Sequence, residues 1–299
     1  MQAFVIGNVA VDETIAIDDW PQPGASILGA QTAHDLGGKG CNQAVVMARC
    51  GLPTTLVAAI GDDFRAATIR EQLSREPVAC QLIQLDGHAS DFSMILTTPD
   101  GENAIVTTAN CAGHLSAVEV HASLDDAAAG DLAILQGNLS DEATIAALRA
   151  AREKGMMTAF NPSPLRPNFD KLWPLIDVAF VNQSEARALT GADDAEAARR
   201  LIAQGVRSVV ATLGADGAFL VHADSALHVP GFACNAVDTT GAGDTFMAVA
   251  LASAALRGTA LDGRAINDAG KAAAITVGRR GTHSAFPSTG ELQAILAAG

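Results

Sequence analysis

Between Asp238 and Phe246 the chain reads DTTGAGDTF, then continues into an apolar run, FMAVALASAAL. The first turn of a helix leaves backbone N–H groups unpaired and carries partial positive charge. Gly241 and Gly243 let that backbone bend sharply and approach a ligand with no Cβ in the way. The amides of Gly241, Ala242 and Gly243 then form a small anion pocket, with Asp244 at its edge. Such an arrangement suits phosphoryl transfer. The amides steady charge on the moving group while the carboxylate takes the proton of an acceptor hydroxyl. Taken alone, G-x-G-D better fits a helix whose acid is only an N-cap or first-turn residue, so its companions decide.

A second glycine cluster occupies LGGKGCNQAVVMARCG, Leu36 to Gly51. Gly37, Gly38 and Gly40 precede a helix starting near Cys41, and an ordinary glycine turn would read the same way. The stretch is not a P-loop, because G-x-x-x-x-G-K-[ST] is absent from the chain. The first strand also lacks G-x-G-x-x-G, since GNVAVD holds only Gly7. Kinase chemistry here needs a different phosphate cradle.

The elements that must position these residues are legible in outline. AFVIGNV, TTLVAAIG, DLAILQG, GMMTAFNP, VAFVN and RSVVATLG are short apolar runs of the buried parallel-strand type. Helical patterns lie at Gly40–Cys50, Phe64–Arg75, Asp141–Lys154, Ser184–Leu189 and Ala195–Gln204. This alternation predicts an α/β fold with a parallel sheet. Asn8, Asp62, Asn138, Asn161 and Asn182 fall at strand ends, where such sheets bind ligands. Ile15–Leu36 and the hairpin pattern Phe92–Thr108, turning at PDGEN, do not fit the parallel layer and predict a small β flap.

Composition narrows the function. The 299 residues carry a formal net charge of −14, which argues against a general nucleic-acid surface. Five cysteines without CxxC spacing predict buried thiols in a reducing compartment, with neither a zinc site nor disulfides. The seven histidines lack metal-like spacing. No apolar stretch approaches the roughly 20 residues that span a bilayer, and MQAFVIGNVAVDETI reads as a core strand rather than a signal peptide. A cytoplasmic protein without membrane or nucleic-acid partners is expected.

GGKGCNQA, with Gly51 and Gly61 following, resembles the N-terminal signature of the ribokinase-like (PfkB) carbohydrate kinase family, and DTTGAGDTF resembles its C-terminal one. GNVAVD, GDD at Gly61, NQSE and TLGADG occur in family order, and the likeness runs from about residue 4 to 287. It implies a three-layer α/β/α sandwich with a mostly parallel central sheet and a small β-sheet lid. The chain 1–299 would be one kinase domain, the lid formed by about residues 13–36 and 90–110. The implied activity is ATP-dependent phosphorylation of the primary hydroxyl of a small sugar, D-ribose first.

The resemblance also implies roles for individual residues. Asp244 is the base, and Gly241, Ala242 and Gly243 are the anion hole. Asp12, Gly38, Lys39 and Asn42 surround the sugar, with Ala10 and Asn138 at two further sugar positions. Asn182 and Glu185 lie near the nucleotide phosphates and Mg²⁺, the glutamate acting through metal-bound water. Thr212, Gly214 and Gly217 line the nucleotide, together with Gly243. TVGRRGTHSAFP resembles a loop that binds K⁺, with Asp238, Thr240, Thr276, Arg279, Gly281 and Ala285 at ligand positions, mostly through carbonyls. A homodimer through the lid is implied as well. Without the family context, Asn182 and Glu185 fit a helix cap and a first-turn acid, and GRRG fits a basic surface turn.

Two departures bear on specificity and a third on the K⁺ loop. Ribose-phosphorylating members carry asparagine where this chain has Ala10, glutamate where it has Asn138, and serine where it has Ala285. Alanine offers a hydroxyl nothing, and an amide replaces an acceptor-only carboxylate with a mixed group. Deoxyribose, another pentose, a ketohexose or a nucleoside therefore compete with ribose. A catalytically silent sugar-binding regulator is the further alternative.

Overall fold

The computed structural model describes residues 1–100 and 102–298. The first half contains β1 (Ala3–Ile6), β2 (Ala10–Ala16), β3 (Ala30–Gly37), α1 (Lys39–Arg49), β4 (Thr54–Ile60), α2 (Phe64–Leu73), β5 (Ala79–Gln84), β6 (Phe92–Thr97), β7 (Asn103–Thr107), α3 (Ala117–Ser123), β8 (Leu132–Gln136) and α4 (Asp141–Glu153). The second half contains β9 (Met157–Asn161), β10 (Val178–Asn182), α5 (Gln183–Thr190), α6 (Asp194–Ala203), β11 (Ser208–Thr212), β12 (Ala218–His222), β13 (Ala226–Val229), α7 (Ala242–Arg257), α8 (Gly263–Val277) and α9 (Thr289–Ala297).

Among the described residues, nine strands form one sheet in the order β13-β12-β11-β10-β9-β8-β1-β4-β5. All neighbours from β11 to β5 pair parallel, while β12 runs antiparallel to both β11 and β13. Successive side chains of a strand point to opposite faces, so a strand covered on both sides must be apolar throughout. In β1, Ala3 and Val5 enter one core with α1, α7 and α8, while Phe4 and Ile6 enter the other with α4 and α6. The three-layer α/β/α sandwich follows from that division. Among the described residues, no helix is long and apolar enough to cross a membrane.

The segments outside the parallel pattern form a separate four-stranded sheet, β3-β2-β6-β7. Its strands extend past the expected boundary, since β2 begins at Ala10 and β3 ends at Gly37. The hairpin is present as β6 and β7 in antiparallel register, Ser93 opposite Thr107. Of its expected turn, Gly101 lies outside the described residues. The sequence pattern alone does not mark β5, β12, β13, α3, α8 or α9. The expectation of buried thiols needs correction. Cys41, Cys50 and Cys111 are buried, but Cys80 and Cys234 are exposed. Cys80 lies on β5, an edge strand, and Cys234 in the irregular segment before α7, so neither has a second layer to cover it.

Candidate active site

The amino ends of α1 and α7 meet at the site. Helix α7 is capped by Gly241 in the left-handed region, φ 74°. A Cβ there would stand 2.6 Å from the Phe286 ring, so both the backbone conformation and the close approach require glycine. Among the described residues, the amides of Gly241, Gly243 and Asp244 find no hydrogen-bond partner, whereas Ala242 N–H donates to Thr239 O at 3.3 Å. The free donors are therefore offset from the expected trio, with the Asp244 amide in place of that of Ala242. Gly243 is exposed, and a Cβ on it would meet open space.

Helix α1 starts after Gly38 at φ 91°, where a Cβ would lie 2.9 Å from Asn8 O. Its first turn therefore seats directly on the loop between β1 and β2. Residues spaced i, i+3 and i+4 share one helix face, and here Lys39, Asn42 and Gln43 all reach Asp244. Asn42 Nδ2 donates to Asp244 Oδ2 at 2.9 Å and Gln43 Nε2 donates to Oδ1 at 2.9 Å. Lys39 Nζ lies 3.9 Å from Oδ1. Gln136, the last residue of β8, donates from Nε2 to Gln43 Oε1 at 2.7 Å and extends the network under the sheet edge. Asp244 is 4% exposed, so its carboxylate is oriented by protein donors rather than by bulk water.

Asp12, on β2, is the second buried acid of this cluster at 5% exposure. Thr282 Oγ1 donates to its Oδ2 at 2.8 Å, while Oδ1 is buried without a partner. Burial pushes the Asp12 carboxyl up to about 6, with the Ser93 and Thr282 hydroxyls pulling it back and the charges of Asp35 and Asp244 adding to the rise. Gly37 passes so close that a Cβ on it would stand 2.1 Å from this carboxylate. Ala10, fully buried, pairs with Gly37 across the strands. Asn42 Oδ1 and Asn138 Oδ1 are also buried and unpartnered. The fold thus gathers Asp12, Gly38, Lys39, Asn42 and Asp244 into one cluster, with Asn138 just beyond the carboxyl end of β8.

Asn182, Glu185, Thr212, Gly214 and Gly217 collect elsewhere, at the ends of β10 and β11, where Asn182 pairs with Thr212. Asn182 Oδ1 accepts from Glu185 N at 2.8 Å and Glu185 Oε2 accepts from Asn182 N at 3.0 Å. That reciprocal pair is a capping box for α5. Glu185 Oε1 makes no hydrogen bond among the described residues. Gly214 and Gly217 bound the turn between β11 and β12.

The C-terminal loop is tied to the segment preceding α7. Asp238 Oδ1 accepts from Thr240 N at 2.9 Å and its Oδ2 from Gly281 N at 3.2 Å. Thr276 is fully buried and shares a hydroxyl bond with Thr245 at 3.0 Å. Its carbonyl already accepts from Arg279 N at 3.0 Å. The Arg279 guanidinium pairs with Glu291 and holds that carboxyl down at about 2. Ala285 is fully buried. Among the described residues, the carbonyls of Asp238, Thr240, Arg279, Gly281 and Ala285 accept no hydrogen bond. No cluster of three or more His, Cys, Asp or Glu suited to a metal ion occurs among them.

Sequence reasoning missed Gln43, Gln136 and Thr282. Gln43 was open to discovery, because it stands one helical turn from Lys39 on the face that carries Asn42. Gln136 and Thr282 gave no local signal, since their partners lie 93 and 270 residues away.

The sequence profile of the pfkB family of carbohydrate kinases matches residues 2–289. Ribokinase of Haemophilus influenzae is 31% identical over 294 residues, covering 96% of this chain and 95% of its own length. Deoxyribokinase of Salmonella typhi is 29% identical over 296 residues, covering 96% of each. The crystal structure of ribokinase from Thermotoga maritima superposes with a TM-score of 0.89 at 25% identity over 99% of both chains. The two glycine-led helix starts that converge on Asp244 lie inside the matched span, and the chain belongs to the pfkB family of carbohydrate kinases as an ATP-dependent sugar kinase.

Proposed function

We propose that the enzyme transfers the γ-phosphoryl group of ATP to the primary hydroxyl of D-ribose, giving ribose 5-phosphate. The observation that carries this reading is the set of buried acceptors without donors, Asp12 Oδ1, Asn42 Oδ1 and Asn138 Oδ1. A buried acceptor left unpaired costs free energy until a donor arrives, and a polyhydroxylated ring brings several O–H groups at once. In this reading Asp244, oriented by Asn42 and Gln43, takes the proton of the attacking hydroxyl. The free amides of Gly241, Gly243 and Asp244 steady the negative charge spread over the transferring group. Closure of the small sheet would exclude water as a competing acceptor.

The cation sites are part of the same proposal. Glu185 offers one free oxygen and no second acid. Such a donor set fits Mg²⁺ held chiefly by phosphate oxygens and water, with Glu185 reaching it through water. The ion supplies charge neutralisation between the phosphates. The unpartnered carbonyls of Asp238, Thr240, Arg279, Gly281 and Ala285 suit a monovalent cation such as K⁺, and a rate comparison in KCl and NaCl tests that assignment. The exposed Leu28, in the segment leading into β3, and Ile105 and Val106 on β7, which is open along its length, favour a homodimer through the small sheet, which sedimentation measures. Free thiols at Cys80 and Cys234 are consistent with a cytoplasmic setting.

A second acceptor, 2-deoxyribose, is favoured by the losses of side-chain hydrogen bonding at Ala10 and Asn138 and by the likeness to a deoxyribokinase at 29% identity. The deciding measurement is kcat/KM for both sugars by ADP release. The ribose reading expects a preference above about tenfold, the scale of one well-made hydrogen bond. The reverse preference transfers the assignment to the deoxy sugar. Turnover of neither removes both.

A further inference from the structure

We infer that Thr282 is a positioning residue for sugar binding: its hydroxyl fixes Asp12 by one carboxylate oxygen and leaves the other as the acceptor that meets the ring. This rests on the reading of Asp12 as a sugar-binding acid. The contact joins two segments 270 residues apart at 2.8 Å, with Thr282 2% exposed and Asp12 5% exposed. A hydrogen bond to a charged group sealed from water is worth more than a surface contact.

Thr282 is held on both sides. The preceding residue, Gly281, donates its amide to Asp238 Oδ2 at 3.2 Å. Two residues on, Ser284 donates its amide and hydroxyl to Asp35 Oδ2 at 2.9 and 2.8 Å. Thr282 O accepts from Ala285 N at 3.1 Å, closing a short helical turn. The hydroxyl is therefore presented to Asp12 from a braced loop rather than from a free rotor. That loop is the one whose carbonyls suit a monovalent cation, and its second anchor, Asp35, belongs to β3 of the small sheet. Thr282 thus ties the sugar acid to the segment joining both.

The position also answers a gap in the cluster. Ala10 lies two residues before Asp12 on the same strand face and has no polar group to brace it. The hydroxyl that bonds Asp12 comes instead from Thr282, while Ser93 stands opposite Asp12 across the β2–β6 pairing. The charged groups facing Asp12 are Asp35 from β3 and Asp244 from α7, both of which oppose its ionisation, with Lys39 of α1 beside Asp244. A donor on Oδ2 favours the carboxylate form that accepts sugar hydroxyls.

The test compares Thr282→Val, which keeps the shape and removes the hydroxyl, with Thr282→Ser, which keeps the hydroxyl. For ribose and for 2-deoxyribose, the valine variant should raise KM about tenfold while kcat changes less than about threefold. The serine variant should stay within about twofold of the parent in both. In an Asp12→Asn background the valine change should add less than about twofold. A ligand-free arm measures the Tm gap between parent and Thr282→Val. The gap should be small near pH ~4.5 and widen as pH passes about 6, because the lost donor matters most to ionised Asp12. A kcat loss matching the KM rise, no serine rescue, an undiminished effect beside Asp12→Asn, or a Tm gap flat in pH would each overturn the proposal. If the parent enzyme turned over neither sugar, the acceptor reading would fail, and the Tm arm would still decide Thr282.

Discussion

Two neighbouring aspartates are almost equally hidden and are treated in opposite ways. Asp244 accepts a protein amide on each oxygen and has Lys39 within 3.9 Å. Asp12 has a hydroxyl on one oxygen, nothing on the other, and two like charges nearby. The first is held in one orientation, as the proposed acceptor of the substrate proton should be. The second is left short of donors, which in the proposed reading the sugar hydroxyls supply. Residue type alone does not distinguish the proposed base from the proposed binding acid. The distribution of donors around it does.

The sharpest way to break this contrast is Asp244→Asn. The amide keeps the size and can still bond to one neighbour, but it cannot take a proton. We expect kcat to fall by about 10³-fold or more, while ATP affinity by calorimetry stays within about threefold. Retention of most turnover would remove Asp244 as the base. Asp12→Ala should behave differently. Sugar KM should rise about 30- to 100-fold, with kcat reduced far less, because the lost bond exists in ground and transition states alike. Equal falls in kcat for the two variants would erase the distinction.

The same contrast marks how far the sequence could be read. The strand–helix alternation and the two glycine clusters placed the sheet, the starts of α1 and α7, and Asp244 at the mouth of α7. These depend on neighbours a few residues apart, and local pattern records them. The donors that separate Asp244 from Asp12 are of another kind. Gln136 and Thr282 act across 93 and 270 residues, and nothing near either in the chain announces its partner. The anion pocket shows a finer limit. GAG indicated which backbone bends, but the turn of Ala242 N–H toward Thr239 O, leaving the Asp244 amide free, is set by the cap geometry. Edge elements such as β5 and β13 escaped because partly exposed strands lack the unbroken apolar run of central ones.

Glu185 supplies a third acid for the comparison, 9% exposed and already engaged in capping α5. Glu185→Gln preserves that role, since glutamine serves a capping box as glutamate does. Tm should therefore move by less than about 1 °C per the small worth of a conserved cap. If the free carboxylate oxygen acts toward Mg²⁺ through water, kcat at limiting Mg²⁺ should fall about tenfold and the half-saturating Mg²⁺ concentration should rise. A normal Mg²⁺ titration would leave Glu185 as a helix cap alone, separating an acid that is merely well placed from the two in the cluster.

The smallest effect is also the one that sets the two aspartates apart in the absence of chemistry. Asp12 titrates at about 6 in the folded chain, against about 3.9 when unfolded. The unfolded state gives up this proton first. Its contribution to stability is therefore fully present below pH ~3.9 and is lost as pH rises through about 6. A gap of about two pH units corresponds to roughly 3 kcal/mol at most, and relaxation around the carboxylate reduces it. Asp12→Asn cannot ionise, so its Tm relative to the parent should improve by about 2–5 °C between pH ~4.5 and pH ~8. Sugar affinity in the parent should run the other way, improving through pH 6 as the carboxylate forms. Opposite slopes are the signature of an acid whose burial is unfavourable until a ligand donates to it. Parallel slopes would mean that Asp12 is a structural acid, and the contrast with Asp244 would lose its basis.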